Sequence, residues 1–242
     1  MRASQSGKLS SVLATDVLAF VRGALPLPPA DVLEIGAGRG ELAAELRRAG
    51  YEVRAIDPAA QDGSGVDPVE LLAVDGTFDA AVAVVSLHHV EPLEESCAHL
   101  ATLVCTGGVL VIDELDVERL DERAARWWLG QRQALGASAP HGAHEHHAAD
   151  PHGAHEHHDA AEPPGHEHHD AAGLVAAMRE HIHPLHAVRA ALLPYFTLGE
   201  PVPGPYLYRW ELGPGLRDAE EHLIAAGELP ATGARLVGTR HG

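Results

Sequence analysis

Two stretches of the sequence have residue types and spacing that could do chemistry: a glycine-rich turn near the start and a histidine-rich tract past the middle. The turn reads Glu34-Ile35-Gly36-Ala37-Gly38-Arg39-Gly40 and stands between an apolar run, residues 31–35, and a helical pattern that begins at Glu41. Glycines let a backbone turn tightly and approach a ligand closely. The start of the following helix offers free N–H groups and a partial positive charge. A pyrophosphate would use that arrangement, and so would the carboxylate of an amino-acid ligand. The spacing is GxGxG. The dinucleotide fingerprint is GxGxxG, and neither Glu41 nor Leu42 is glycine. The acid at Glu34 also points away from a pyrophosphate. Asp57 closes a second apolar run 17 positions after Gly40, where a carboxylate can accept two hydrogen bonds from a ribose diol.

The histidine-rich tract covers residues 141–173 and divides into three units of 11, with the core HEHH recurring at 144, 155 and 166. Eleven of the 19 histidines lie in it. Neutral imidazoles beside carboxylates suit Zn²⁺, Ni²⁺, Co²⁺ or Cu²⁺. The candidate ligands are His144 and His147, His155 and His158, and His166 and His169, each pair three apart and on one face if a helix forms. Alanine is the main apolar residue, so the tract has nothing large to bury, and its composition predicts disorder. The alternative to metal binding is a repeat expansion tolerated in a surface loop. A second histidine group, His181, His183 and His186, has HxH spacing that could bind a metal or could belong to a surface or lid.

These residues need elements to position them. Val17, Phe20, Val21 and Ala24 extend a helical spacing that begins at Leu9, and Pro26, Pro28 and Pro29 stop it. Strands are expected over residues 31–35, 51–56, 78–85 and 109–112. Helices are expected over 41–49 and 94–104, and a turn at Gly107-Gly108. This alternation implies βαβ units and a parallel sheet with right-handed crossovers. Ligands of such sheets bind at the carboxyl ends of the strands. Farther on, the pattern suggests a long helix over 116–135 carrying Trp127, Trp128 and Arg132, and a proline-interrupted helix over 173–193. A strand over 206–212, a helix over 217–226 and a strand over 234–239 follow. The expected fold is α/β: a doubly wound, mostly parallel seven-stranded sheet, Rossmann-like, with a helical lid and a disordered His-rich insertion. Residues 1–140 form the N-terminal helix and cofactor-binding half, 141–173 the insertion, and 174–242 the lid helices and closing strands of the same domain.

Val32 to Leu42, VLEIGAGRGEL, resembles the first motif of class I S-adenosylmethionine-dependent methyltransferases. Asp57 in AIDP is similar to their ribose-binding acid, Phe78-Asp79 with AAVAVVSLHHV to their fourth strand, and LVCTGGVLVIDE to the motif around their fifth. Thr106 stands where most relatives carry proline. The four motifs cover about residues 31–115. The resemblance implies S-adenosylmethionine as cofactor. Glu34, just before the turn, is counted among the cofactor-binding residues, and the backbone of Gly36, Ala37, Gly38 and Gly40 would face the methionine part of the cofactor. Asp57 would hold its ribose, and Pro58 would flank its adenine. Asp67 stands where relatives contact the adenine amine, and Ser86, Leu87 and His88 would lie beside the sulfonium. Transfer to a hydroxyl or protonated amine benefits from a general base, and His88 is the candidate, since an ordinary imidazole titrates near pH 6.5. The alternative is that His88 and His89 only pack. Asp113 and Glu114 end the fifth-strand motif on the ligand side, ready for substrate contact or ion pairing.

The formal net charge of -18 repels phosphate backbones and anionic lipids and argues against a nucleic-acid substrate. No apolar run approaches the roughly 18 residues of a membrane span, and the first eight residues lack the apolar stretch of a signal peptide. A cytoplasmic protein is expected. Cys97 and Cys105 are not spaced as a CxxC pair. The expectation is therefore methyl transfer to a small molecule, with a divalent metal not required and no reading of oligomeric state. The competing expectation is a metal-binding or metal-regulated protein on the same scaffold.

Overall fold

The computed structural model describes residues 16–136, 170–210 and 212–242. The histidine units up to His169, the segment before Asp16 and Glu211 lie outside the described residues. The candidate metal ligands His144, His147, His155, His158, His166 and His169 are therefore outside it as well.

Residues 16–24 form α1. The first half then alternates as expected: β1 (Asp31–Ile35), α2 (Glu41–Arg48), β2 (Glu52–Ile56), β3 (Phe78–Val84), α3 (Leu93–Leu103) and β4 (Val104–Leu115). The second half holds α4 (Glu122–Ala134), α5 (Ala171–His181), α6 (Leu185–Leu192), β5 (Phe196–Leu198), β6 (Val202–Gly204), α7 (Arg217–Ala225) and β7 (Gly233–Arg240). The sheet order is β2-β1-β3-β4-β7-β5, with β6 also paired to β7. The first four strands of that order are parallel, and β7 runs antiparallel to β4. Together β5 and β6 make one interrupted edge strand along β7. This is the expected seven-stranded doubly wound α/β sheet.

Alternation along the central strands explains both covered faces. Leu33 and Ile35 of β1, Ala81 and Ala83 of β3, and Leu110 and Ile112 of β4 join one apolar cluster, which α3 and α6 cover. Val32, Ala80, Val82 and Val111 point the other way and pack against α1 and α2. A third cluster caps the ligand end of the sheet and holds Trp128 of α4 and Leu174 and Val175 of α5 with Tyr206, Leu207 and Leu212. The helices on either side of the histidine-rich tract thus share one core. Helix α5 starts inside the last repeat unit: Asp170 caps it, its Oδ1 accepting from the Gly173 amide at 2.6 Å.

The structure departs from several sequence expectations. Gly107-Gly108 is not a turn; β4 runs straight through it, with a register shift opposite Phe78 and Ala80. The long helix begins only at Glu122, because the Asp121 carboxylate accepts from the Arg123 and Ala124 amides at 2.9 and 3.0 Å and starts the helix there. Ile182 to Pro184 break the next helical pattern into α5 and α6. Among the described residues of 206–212 no strand forms. The buried carboxylate of Glu220 in α7 accepts from the amides of Tyr206, Leu207 and Tyr208 at 2.8–2.9 Å and winds them into a short 3-10 turn. The edge strand instead occupies Val202–Gly204, where Pro203 is tolerated because an edge residue needs no second ladder bond.

Candidate active site

The carboxyl ends of β1, β2 and β3 surround a cavity of about 580 Å³, lined by Gly36, Asp57, Leu71, Ser86 and His89 among others. That lies within the roughly 300–1,000 Å³ usual for small-molecule sites. Gly36 has φ 67°, and a Cβ there would run into the Cβ of Ser86. Glycine is required at this position because the turn after β1 and the turn after β3 touch.

Asp57 ends β2 and faces the cavity. Its Oδ2 accepts from the Gly38 amide at 2.8 Å and its Oδ1 from the Ala59 amide at 2.9 Å. A carboxylate offers about four lone-pair sites, so acceptor capacity remains for a vicinal diol. Ile56, Pro58, Val69 and Leu72 add apolar wall to the same cavity. The buried hydroxyls of Ser86 and Ser96, both in its lining, have no partner among the described residues. A nucleoside with a polar tail fits this combination of a carboxylate, apolar walls and unpaired hydroxyls.

Other sequence candidates sit elsewhere. Glu34 points to the opposite face of the sheet, is 4% exposed and accepts a hydrogen bond from the Ala43 amide. It supplies the helix cap that Gly40 cannot give. Burial pushes its carboxyl up to about 8, against the opposing pull of Arg47 and that amide. Asp67 is absent from the cavity lining. Its Oδ2 accepts from Arg54 Nε at 3.0 Å, and its backbone forms a one-residue bridge to Ile56, all that remains of a further strand beside β2. Leu87 and His88 are buried behind the cavity wall, and His89 is the histidine that lines it. Burial, with His88 beside it, holds the His89 imidazole below its usual pKa.

The residue whose role the sequence left open is Glu114. It is 1% exposed. Its Oε1 accepts from the Ser86 and Leu87 amides at 2.9 and 2.7 Å, and its Oε2 pairs with His88 Nδ1. One strand-end carboxylate therefore clamps the whole turn after β3, in the same way that Glu220 clamps residues 206–208. With Nδ1–H donating to the carboxylate, Nε2 is the nitrogen of His88 left over. The His88 carbonyl accepts from the His183 amide at 2.9 Å, tying the α5–α6 corner to this turn. Asp113 faces the other way and pairs with Arg209 and Arg235.

The clamped turn stores strain. Val85 is the one non-glycine residue with positive φ among the described residues, at 54°, a conformation that costs a β-branched residue roughly 1–3 kcal/mol. Val85→Gly is therefore expected to stay within about 1 kcal/mol of neutral, since relief of strain offsets lost packing and glycine's entropy. Val82→Gly in the neighbouring β3 is expected to cost about 3 kcal/mol or more. Urea unfolding of the two variants checks the contrast.

The second histidine group does not converge. His181 Nδ1 lies 2.8 Å from the Ala177 carbonyl, His183 pairs with Glu91 and His186 with Glu118. Among the described residues no cluster of three metal-ligating side chains occurs. Cys97 and Cys105 are both free, and burial pushes the Cys97 thiol up to about 12. Trp128 docks α4: its Nε1 donates to the Trp210 carbonyl at 2.7 Å, and the two rings stack at 4.1 Å. No described helix is long and apolar enough to cross a membrane.

Comparison with known proteins agrees with this geometry. A family model described as a methyltransferase domain matches residues 8–149. A protein named an uncharacterized methyltransferase from Mycobacterium tuberculosis H37Rv is 32% identical over 145 residues, covering 54% of this chain and 73% of that one. Among solved structures, an S-adenosylmethionine dependent methyltransferase from Mesorhizobium loti superposes with a TM-score of 0.51 at 15% identity, over 93% of this chain and 96% of that one. A protein described as a methyltransferase from an antibiotic biosynthesis pathway of Anabaena variabilis gives 0.56 at 14% identity, over 96% of this chain and 99% of that one. At these identities the structural likeness speaks for the fold.

Proposed function

Because this chain belongs to the methyltransferase-domain family, we propose that it transfers a methyl group from S-adenosylmethionine to a small-molecule acceptor. The observation that carries the reading is the cavity at the strand ends, where the Gly36 turn and the free acceptor capacity of Asp57 meet. Asp57 binds the ribose hydroxyls, and Pro58, Val69 and Leu72 pack around the base. The turn at Gly36 and the face of Ser86 border the methionine tail. Glu34, Ala37, Gly38 and Gly40 act on the pocket indirectly, by holding the loop and the start of α2. Asp67 sets the strand end through Arg54 and its backbone. Leu87 and His88 back the wall.

The cofactor supplies an activated methyl group on a positively charged sulfur. The chain's part is alignment and exclusion of water. The acceptor atom bonds to the methyl carbon as the carbon–sulfur bond breaks, and the bonding pair stays on sulfur. Where the acceptor carries a proton, the His89 imidazole at the cavity takes it. His89 faces the cavity with a lowered pKa, and Glu114 fixes the orientation of His88. The apolar lining and the net charge of -18 favour a small acceptor over nucleic acid.

Titration calorimetry with S-adenosylhomocysteine tests the proposal. Wild-type protein is expected to bind it in the micromolar range. Asp57→Ala is expected to weaken binding at least about tenfold, since a hydrogen bond to a charged group is worth roughly 1.5–3 kcal/mol. No binding by the wild type, or equal binding by both proteins, overturns the reading.

A further inference from the structure

A second pocket lies on the other face of the sheet from the Glu114 clamp, between the start of α1, the start of α7 and the β6–β7 edge. It measures about 160 Å³, and Asp16, Val202, Gly204, Arg209, Arg217 and Arg235 line it. We propose that this pocket binds a small oxyanion, the carboxylate or phosphate group of a ligand other than the methyl donor.

Three guanidinium groups converge there in a chain whose net charge is -18. Arg209 is 7% exposed, and one nitrogen, Nη2, reaches Asp113 Oδ1 at 2.8 Å. Its Nε and Nη1 are buried with no hydrogen-bond partner among the described residues; Arg217 Nε, also without a hydrogen bond, reaches only the Asp16 carboxylate at 3.7 Å. Leaving such donors unpaired costs about 1–3 kcal/mol each, so the site calls for an acceptor. The facing carboxylates are already engaged. Asp113 accepts from Arg209 and, at 2.9 Å, from Arg235 Nε. Asp16 accepts from Arg235 Nη2 at 2.8 Å and from the Tyr208 hydroxyl at 3.2 Å, with Arg217 Nε at 3.7 Å. Glu220 lies near Arg209, but three amides take up most of its acceptor positions. Asp218 and Glu221 meet Arg217 from the exposed side.

The arginines are also held in place. The guanidinium of Arg209 lies 5.3 Å from the Tyr206 ring and 5.8 Å from the Tyr208 ring, and that of Arg235 lies 5.0 Å from the Phe20 ring. A planar, fixed guanidinium matches the paired oxygens of a carboxylate or phosphate. The volume is below the roughly 300 Å³ of a site for a drug-sized ligand, so one anionic group fits and a nucleotide does not. Adjacent residues of a strand face opposite ways. Asp113 and Glu114 thus place this pocket and the clamp behind the main cavity on opposite faces of one strand end.

The test uses the full chain at constant ionic strength, with inorganic phosphate and succinate as probes and chloride as the background anion. One probe is expected to raise the melting temperature saturably and to bind by calorimetry. Arg217→Gln, at a half-exposed position, is expected to weaken that binding at least about fivefold, the loss of one charge-assisted contact, while S-adenosylhomocysteine binding is unchanged. A response to phosphate alone identifies a phosphate-bearing ligand, and one to succinate alone a carboxylate-bearing one. No saturable response to either probe, or equal binding by wild type and Arg217→Gln, overturns the proposal. S-adenosylhomocysteine binding in the same samples separates that failure from a failure of the methyltransferase reading.

Discussion

Glu114→Ala is expected to lose about 3–5 kcal/mol of folding stability, the usual cost of removing one member of a buried, hydrogen-bonded charged group. The reason lies in what it leaves behind. The Ser86 and Leu87 amides and the His88 Nδ1 all donate to this one carboxylate, and truncating it leaves those buried donors without it. Glu114→Gln keeps an oxygen for the two amides but puts an NH₂ donor where the Nδ1–H of His88 needs an acceptor. Its stability loss is expected to be smaller, about 1–2 kcal/mol. Its effect on turnover is expected to exceed its effect on cofactor binding, because the imidazole is released or inverts its tautomer. Urea unfolding reads the stability loss, S-adenosylhomocysteine calorimetry the cofactor binding, and methyl transfer to an acceptor the turnover. A stability loss under 1 kcal/mol for the alanine variant would show that the turn after β3 holds itself.

Folding stability is expected to fall as pH rises from about 5 to about 8, and Glu34 is the cause. Its carboxyl titrates near 4.5 in an unfolded chain and is pushed up to about 8 in the fold by burial. Between those values the folded protein keeps a proton that the unfolded chain has released. Stability therefore declines with rising pH, by at most about 1.4 kcal/mol per pH unit, and levels off above pH 8. The accumulated loss is on the order of 2–4 kcal/mol at pH 8. Glu34→Gln keeps an acceptor for the Ala43 amide and cannot ionise. Wild type and variant are expected to match near pH 5 and the variant to be the more stable at pH 8. Thermal unfolding across that range checks this, and parallel curves for the two proteins would mean that Glu34 is ionised in the fold.

The first half of the chain was largely legible in the sequence. The run Asp31–Ile35 is a strand at those bounds, because five residues with apolar neighbours and a glycine turn behind them have one stable local solution. The Gly36 turn and Asp57 stand at one cavity, as the motif order implied. The rest was not legible. YLYRWEL alternates like a strand, but its amides 206–208 belong to a glutamate in α7. Glu34, which the motif places with the cofactor residues, lies under α2. Asp67 looked like a base contact, and Arg54 claims it instead. The outcomes at residues 206–208 and at Asp67 depend on partners more than ten residues away in the chain.

What the sequence determined by itself was local: which stretches are strands or helices, where glycine must allow a tight turn, and which acid follows it at cofactor spacing. Periodicity and backbone sterics act over a few residues, so they can be read without the fold. The tertiary structure alone decided the ownership of buried polar groups. It gave Glu114 to the turn at 86–88, Glu220 to the turn at 206–208, and Arg209 and Arg235 to Asp113. A buried donor or acceptor must find a partner or bear the cost of desolvation, and that partner comes from wherever the chain happens to pass.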